Sequence, residues 1–140
     1  MNKKQKIKFI LAFAVAYTLL LLLGVFVFGS LLVGIEEKII HLLLCSSVNY
    51  SAFDFVVYCS GIVSVSAYLG VILGFMVVKQ KTNYKVVLAS ILLLFLINIL
   101  RIMLVMLSEK IGWHQTVHVI SWFLMALVIV WLIKISAKRK

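Results

Sequence analysis

Apolar residues in this chain form long runs that short polar segments separate. The first run, Phe9 to Phe28, predicts a membrane span of about 9–29, and it is too long for the apolar region of a cleavable signal peptide. Further runs predict spans of about 56–78, 86–107 and 116–135, each near the roughly 20 residues that a helix needs to cross a bilayer. The pattern therefore predicts an all-α integral membrane bundle of four transmembrane helices, with residues 1–140 forming one membrane domain.

The segment of about 31–44 breaks this pattern, because polar residues divide it and leave too few apolar residues for a span. These polar residues are Glu36, Glu37, Lys38 and His41. Apolar residues still recur in the segment at helical spacing, at Leu32, Ile35, Ile39, Leu42 and Leu43. We therefore expect a short outer helix here, either amphipathic and interfacial or re-entrant.

Composition excludes a soluble globular domain. The chain has 140 residues, of which 65% are hydrophobic and 13% are charged, and its mean hydropathy is +1.22. A soluble domain has about 25% charged residues. Two cysteines without a CxxC pair are too few for a cysteine-based zinc site or a disulfide framework, and we expect neither a metal nor a cofactor.

The net charge is +10, from 14 Lys and Arg against 4 Asp and Glu. The positions of the basic residues explain this excess. They cluster in the N-terminal tail, between the second and third predicted spans, and at the C-terminus, whereas the acidic residues fall in the opposite loops. Cytoplasmic loops of membrane proteins are enriched in Lys and Arg. Both termini are therefore predicted to be cytoplasmic, and the charge implies no nucleic-acid partner.

Arg101 is the basic residue that lies well inside a predicted span. An arginine there costs about 2.5–3.5 kcal/mol on insertion scales, and such residues commonly face the bundle interior at functional sites. Snorkelling is the alternative, because Arg101 lies only roughly 9 Å from the outer end of its span. Asn98, one helical turn away, and Ser90 share its face and favour an inward polar stripe.

Cys59 and His118 open the second and fourth predicted spans at the same outer edge. Cys59 shares a helical face with small residues at four-residue spacing, which favour close approach of a neighbouring helix. These are Ser66, Gly70 and Gly74. Cys59 has two structural alternatives, a buried apolar side chain or a disulfide with Cys45.

Three polar residues from three helices lie at one depth. Cys59, Arg101 and His118 are each roughly 3–9 Å inside the outer boundary. They suit covalent chemistry, in which a thiolate attacks, a guanidinium stabilises the thiolate or an oxyanion, and a histidine transfers protons. Asn98 would orient Arg101 or line the site. His114 and His118 have the spacing of metal ligands, but the glutamate of an H-E-x-x-H motif is absent between them.

In this arrangement the chain resembles the exosortase/archaeosortase family of membrane cysteine transpeptidases. The matching motifs, within roughly 56–133, are Cys59-Ser60-Gly61, Asn98-Ile99-Leu100-Arg101-Ile102 and His118. The resemblance implies that Cys59 is the nucleophile, Arg101 the stabilising cation and His118 the general acid/base. It also implies a site on the outer face of the cytoplasmic membrane. There the family cuts C-terminal sorting signals of exported proteins and passes the proteins to a lipid or another surface acceptor.

The chain departs from that family after the histidine, where many members have an acidic residue and then a glycine but this chain has Val119 and Ser121. A local carboxylate to orient His118 is therefore missing, which leaves open whether His114 takes its place. Two other functions compete. One is an oligomeric small transporter, although the chain lacks the membrane-embedded acid that usually couples proton movement. The other is a non-enzymatic assembly subunit, in which Gly70-x-x-x-Gly74 is a packing face.

Overall fold

The computed structural model describes residues 1–44, 61–78, 81–109 and 112–137, and the regular structure in these ranges is helical. The helices are α1 (Lys3–Leu23), a π-helical segment (Gly24–Phe28), α2 (Gly29–Leu44), α3 (Ile62–Val77), α4 (Tyr84–Glu109) and α5 (His114–Ser136). The chain contains no proline, the residue that removes a hydrogen bond from a helix interior. The predicted all-α fold is confirmed for the described residues.

Three stretches are long and apolar enough to cross a membrane, namely Lys3–Phe28, Tyr84–Ser108 and Gln115–Ser136. They correspond to the first, third and fourth predicted spans. The second predicted span is not confirmed, because α3 has 16 residues, about 24 Å of helix. Residues 56–60 of that prediction lie outside the described ranges. The described chain is therefore an all-helical bundle with three candidate spans and a shorter apolar helix.

α1 and α3 pack closely along the face of α3 that carries small residues. A Cβ atom added to Gly74 would lie 2.8 Å from the Phe9 ring, and one added to Gly70 would lie 3.2 Å from the Phe13 ring. Ser66, one turn further along the same face, is also buried. Larger side chains at these glycines would separate the helices, so the predicted contact face of α3 is confirmed.

α4 and α5 form an antiparallel pair that is tied at both ends. In the turn between them, Gly112 has a φ of 73°, and the backbone N–H of Trp113 donates to the carbonyl of Ser108 at 3.0 Å. At the opposite end, the backbone N–H of Asn83 donates to the carbonyl of Ser136 at 3.2 Å. These ties fix which residues of α4 and α5 face each other.

α3 packs against the α4 and α5 pair around Tyr68, which is fully buried. The Tyr68 hydroxyl and Ser136 Oγ lie 2.6 Å apart in a buried hydrogen bond between α3 and α5. The buried apolar cluster around them contains Tyr68, Ile72, Val87, Leu94, Met125 and Leu132. This core holds α3 in the bundle although the helix is shorter than a usual span.

α2 packs against α4 near Arg101. Ile40 of α2 forms a buried cluster with Ile62 and Ile102, and residues from α1 pack against the same cluster, among them Leu21. The π-helical segment lies between α1 and α2. These contacts place the middle of α2 beside the part of α4 that carries Arg101.

The side of α2 that packs against the bundle is not its most apolar side. Ile35 and Leu42, which belong to the predicted apolar stripe, are 40% and 79% exposed, whereas Glu36 and Ile40 are fully buried. Leu32, Glu36 and Ile40 follow one another at four-residue spacing, so a carboxylate lies in the packed face. The predicted helix is confirmed, but its orientation in the bundle was not contained in the hydropathy pattern.

Candidate functional site

Arg101 and Asn98 lie one turn apart on the face of α4 that points into the bundle. Their side chains are 4% and 0% exposed, respectively. Arg101 Nη1 donates a hydrogen bond to Asn98 Oδ1 at 3.0 Å. Ser90, on the same predicted stripe, is also buried. The inward polar face of this helix is therefore confirmed, and burial of the guanidinium favours it over snorkelling.

Glu36 of α2 meets this pair from the other side. Asn98 Nδ2 donates to Glu36 Oε1 at 3.1 Å, and the glutamate is fully buried. Asparagine suits the middle position because its amide nitrogen donates and its oxygen accepts. Burial raises the pKa of Glu36, which lies outside the three candidate spans, to about 7, although the Asn98 hydrogen bond and the Arg101 charge lower it. The three side chains form a buried chain of carboxylate, amide and guanidinium.

Trp122 of α5 joins Arg101 to His118. The Arg101 guanidinium carbon lies 4.6 Å from the centroid of the Trp122 ring, within the range of a cation–π contact. The indole Nε1 donates to His118 Nε2 at 3.1 Å. Because an indole N–H only donates, Nε2 is the acceptor, and the neutral imidazole carries its proton on Nδ1. Two predicted site residues from different helices therefore meet at one tryptophan.

Gly61 approaches the same cluster from the start of α3. It has a φ of 71°, a left-handed conformation that favours glycine. A Cβ atom at this position would lie 3.0 Å from Asn98 Cγ, so the packing also favours glycine. Gly61 follows Cys59 by two residues in the sequence. Cys59 itself lies outside the described residues, as does Cys45 and with it the alternative disulfide.

The predicted site residues thus divide into two groups. Arg101, Asn98 and His118 belong to one contact network that reaches from α2 to α5. Cys59 and the side chain of His114, the first residue of α5, lie outside what the structure describes. Within the described ranges, no group of three or more His, Cys, Asp and Glu side chains is placed to hold a metal ion.

Glu36 and Trp122 belong to the network, although neither is among the predicted site residues. Glu36 is predicted only as a polar residue of an interfacial segment. A signal for Glu36 exists in the four-residue spacing of Leu32, Glu36 and Ile40, which places the carboxylate in line with apolar residues. Trp122 lies one turn after His118, but tryptophan is common near membrane interfaces, so this spacing alone does not identify it.

An apolar cavity of about 900 Å³ opens beside Gly61, between α1, α3 and α4. Its walls are almost entirely hydrocarbon and include Leu20, Val65 and Leu88. Lys85 also lines it. The cavity is therefore an open apolar groove that reaches the start of α3, where the chain approaches Asn98.

Arg101 and His118 give the site two chemical capacities. A buried guanidinium stabilises nearby negative charge more strongly than a solvated one, because little water screens it. A histidine exchanges protons at physiological pH.

Comparison of the chain with family models, with curated proteins and with solved structures finds no match.

Proposed function

We propose that this protein is a membrane cysteine peptidase or transpeptidase of the exosortase/archaeosortase kind, acting at the outer face of the cytoplasmic membrane. Its substrates are exported proteins whose C-terminal sorting signal consists of a short motif, a transmembrane helix and a basic tail. The observation that carries the proposal is the meeting of Arg101 and His118 at Trp122. Both are among the three predicted catalytic residues, and they come from separate predicted spans.

The proposed nucleophile, Cys59, is connected to this network through Gly61. Gly61 packs against Asn98, and two residues of fully extended chain span at most about 7 Å. The covalent chain therefore limits the distance between the Cys59 backbone and the Asn98 side chain, which accepts a hydrogen bond from Arg101. A guanidinium near a thiol favours the reactive thiolate, which supports the pairing of these residues.

In the proposed reaction, the Cys59 thiolate attacks the scissile carbonyl carbon, and the Arg101 guanidinium stabilises the thiolate or the carbonyl oxyanion. His118 Nε2 takes up the thiol proton as its hydrogen bond with Trp122 breaks, and the imidazolium gives that proton to the leaving amine. The carbon–nitrogen bond breaks and leaves a thioester on Cys59. Water, or a nucleophilic group of a lipid or other surface acceptor, then attacks the thioester. This attacking group loses a proton to His118, and the acyl group leaves Cys59 as the thiol is released.

Processing of a co-expressed, exported reporter with such a C-terminal signal tests the proposal. Cys59→Ala should abolish processing, whereas the matched Cys45→Ala should leave it intact. His118→Gln should reduce processing strongly, and His41→Gln, at an exposed position of α2, should not. Unchanged processing with Cys59→Ala, at equal membrane levels of the variants, would refute the catalytic role. Equal loss in both cysteine variants would instead indicate the disulfide.

Thiol reactivity provides a test that needs no substrate. In a Cys45→Ala background, an impermeant maleimide added outside the cell should modify Cys59 at about pH 6, below the range in which an ordinary thiol reacts. Arg101→Gln should slow the modification, because the thiolate loses its stabilising cation. A Cys59 thiol that reacts only after detergent is added would contradict the outer location of the site.

The apolar cavity supports the substrate class, because it offers a membrane-embedded helix a binding surface beside Gly61. Leu88→Trp adds a large ring to the cavity wall and should reduce processing. Leu127→Trp, on α5 and away from the cavity, is the control, since Leu88 and Leu127 are 71% and 67% exposed. Equal processing by the two tryptophan variants would contradict entry of the substrate through this cavity.

A small proton-coupled transporter is the second candidate function, and Glu36 is the observation that favours it. The sequence places no acidic residue in a predicted span, but the structure buries Glu36 against Asn98, next to Arg101. Buried carboxylates serve as proton carriers in pumps and transporters. In sealed vesicles, a transporter would speed the decay of an imposed pH gradient. Glu36→Gln would abolish that activity, and Cys59→Ala would preserve it.

A further inference from the structure

Glu36 is fully buried beside the proposed site, yet the proposed reaction does not use it directly. Its Oε1 accepts a hydrogen bond from Asn98 at 3.1 Å, and Asn98 accepts one from Arg101 at 3.0 Å. Within the described part of the chain, Glu36 Oε2 is buried without a hydrogen-bond partner. Burying a carboxylate is costly unless other groups compensate. Among the described residues, the hydrogen bond from Asn98 and the nearby charge of Arg101 provide this compensation.

We propose that Glu36 is a positioning residue for Arg101, acting through Asn98. When Glu36 accepts from Asn98 Nδ2, the amide is oriented with Oδ1 towards Arg101 Nη1. Without that acceptor the amide loses the contact that directs Oδ1 towards Arg101, which weakens the hydrogen bond that complements the stacking of the guanidinium on Trp122. The catalytic consequence rests on the proposed function, whereas the hold on Arg101 is a property of the fold.

The order of donors and acceptors determines which residues fit this chain. Asn98 donates to a carboxylate and accepts from a guanidinium, so a carboxylate at position 98 would face Glu36 with like charge. Exchanging the two groups restores the pattern. When Glu36→Gln and Asn98→Asp are combined, the glutamine amide donates to the aspartate, and the aspartate accepts from Arg101. The total charge of the three side chains is the same as in the native protein.

Substitutions of Glu36 alone give the first test, with processing of the reporter as the measurement. Glu36→Ala removes the acceptor and should reduce processing about 10- to 100-fold, the order of loss expected when a catalytic group is misplaced by about 1 Å. Glu36→Gln retains an oxygen acceptor of the same reach and should rescue most of that loss. Glu37→Ala, at the exposed neighbouring position, is the matched control and should process normally.

Exchange of the charged group gives the second test, which decides the question even if Glu36→Ala fails to fold. Asn98→Asp should reduce processing strongly, because it removes the amide donor and places a second carboxyl group against Glu36. Adding Glu36→Gln to that variant should restore processing. A double variant that processes no better than Asn98→Asp alone would overturn the positioning role.

Trp122 fluorescence distinguishes failure of this inference from failure of the proposed function. Trp113 and Trp131, which are 65% and 55% exposed, are replaced by phenylalanine so that Trp122 is the one tryptophan left of the chain's 3. Its emission should shift with Glu36→Ala, which weakens the hold on the guanidinium that stacks on the ring, and not with Cys59→Ala. If emission shifts in this way while Cys59→Ala leaves processing unchanged, the proposed function fails and the positioning stands. If Cys59→Ala abolishes processing while Glu36→Ala alters neither signal, the positioning role is wrong.

Discussion

Trp122 contacts both Arg101 and His118, and substitution can separate the two contacts. Trp122→Phe keeps an aromatic ring beneath the guanidinium and removes the indole N–H that binds His118. Trp122→Leu removes both the ring and the donor. The two variants should therefore differ in their free energy of unfolding, and the difference isolates the contact between the ring and the cation.

The magnitudes follow from the geometry and burial of the two contacts. The guanidinium is 4% exposed and lies 4.6 Å from the ring centroid, so this cation–π contact is desolvated and contributes about 2 kcal/mol. The hydrogen bond from Nε1 to His118, at 3.1 Å, contributes about 1 kcal/mol. Trp122→Phe should therefore lower the free energy of unfolding by about 1 kcal/mol, and Trp122→Leu by about 3 kcal/mol.

Reversible unfolding of the purified protein in detergent micelles measures these differences. Trp131→Phe is the matched control, because Trp131 lies on the same helix, is 55% exposed and should tolerate the change. If Trp122→Phe is as stable as Trp131→Phe, the hydrogen bond to His118 contributes nothing. If Trp122→Leu is no less stable than Trp122→Phe, the stacking of Arg101 contributes nothing, and the reasoning that links the two predicted site residues is refuted.

Three further predictions concern packing, a buried hydrogen bond and pH. Gly74→Ala should destabilise the protein in thermal unfolding by about 1–3 kcal/mol, because the methyl group would lie 2.8 Å from an aromatic ring of α1. The methyl group added by Gly34→Ala would have no neighbouring atom within 4 Å, so this control should leave the free energy of unfolding unchanged or raise it. Tyr68→Phe should cost about 1 kcal/mol in the same assay through loss of a 2.6 Å hydrogen bond. Tyr84→Phe, at a 68% exposed position, should cost nothing. Because burial raises the pKa of Glu36 from 4.5 to about 7, the folded state binds this proton more tightly than the unfolded state. The contribution of Glu36 to stability should therefore be fully present below about pH 4.5 and fall by up to about 3 kcal/mol as pH rises to 7, and Glu36→Gln should remove this contribution in unfolding measured across that range. Identical pH profiles for the two proteins would contradict it.

Much of the fold could be predicted because a bilayer leaves the chain few alternatives. A membrane-embedded backbone has to satisfy its own hydrogen bonds, so long apolar runs form helices. The contact face of α3 could be predicted for a related reason, since glycines such as Gly70 and Gly74 allow helices to approach closely where lipid supplies no hydrophobic drive. The inward orientation of Arg101 could be predicted because a cation inside a membrane span is costly, so its side chain faces the interior of the bundle and not the lipid.

The burial of Glu36 could not be read from the same pattern, because it depends on which face of α2 meets α4. Hydropathy treats a glutamate as a residue for the exposed side of a helix. Here the packed face of α2 brings Glu36 to Asn98, which supplies a hydrogen-bond donor, and near the positive charge of Arg101, and these contacts partly compensate for the loss of water around the carboxylate. The described hydrogen bonds connect the Glu36 carboxylate to the Arg101 guanidinium through the Asn98 amide, and they connect His118 to Trp122. In the proposed reaction, Glu36 therefore acts on the group that stabilises charge, and Trp122 contacts the group that transfers the proton.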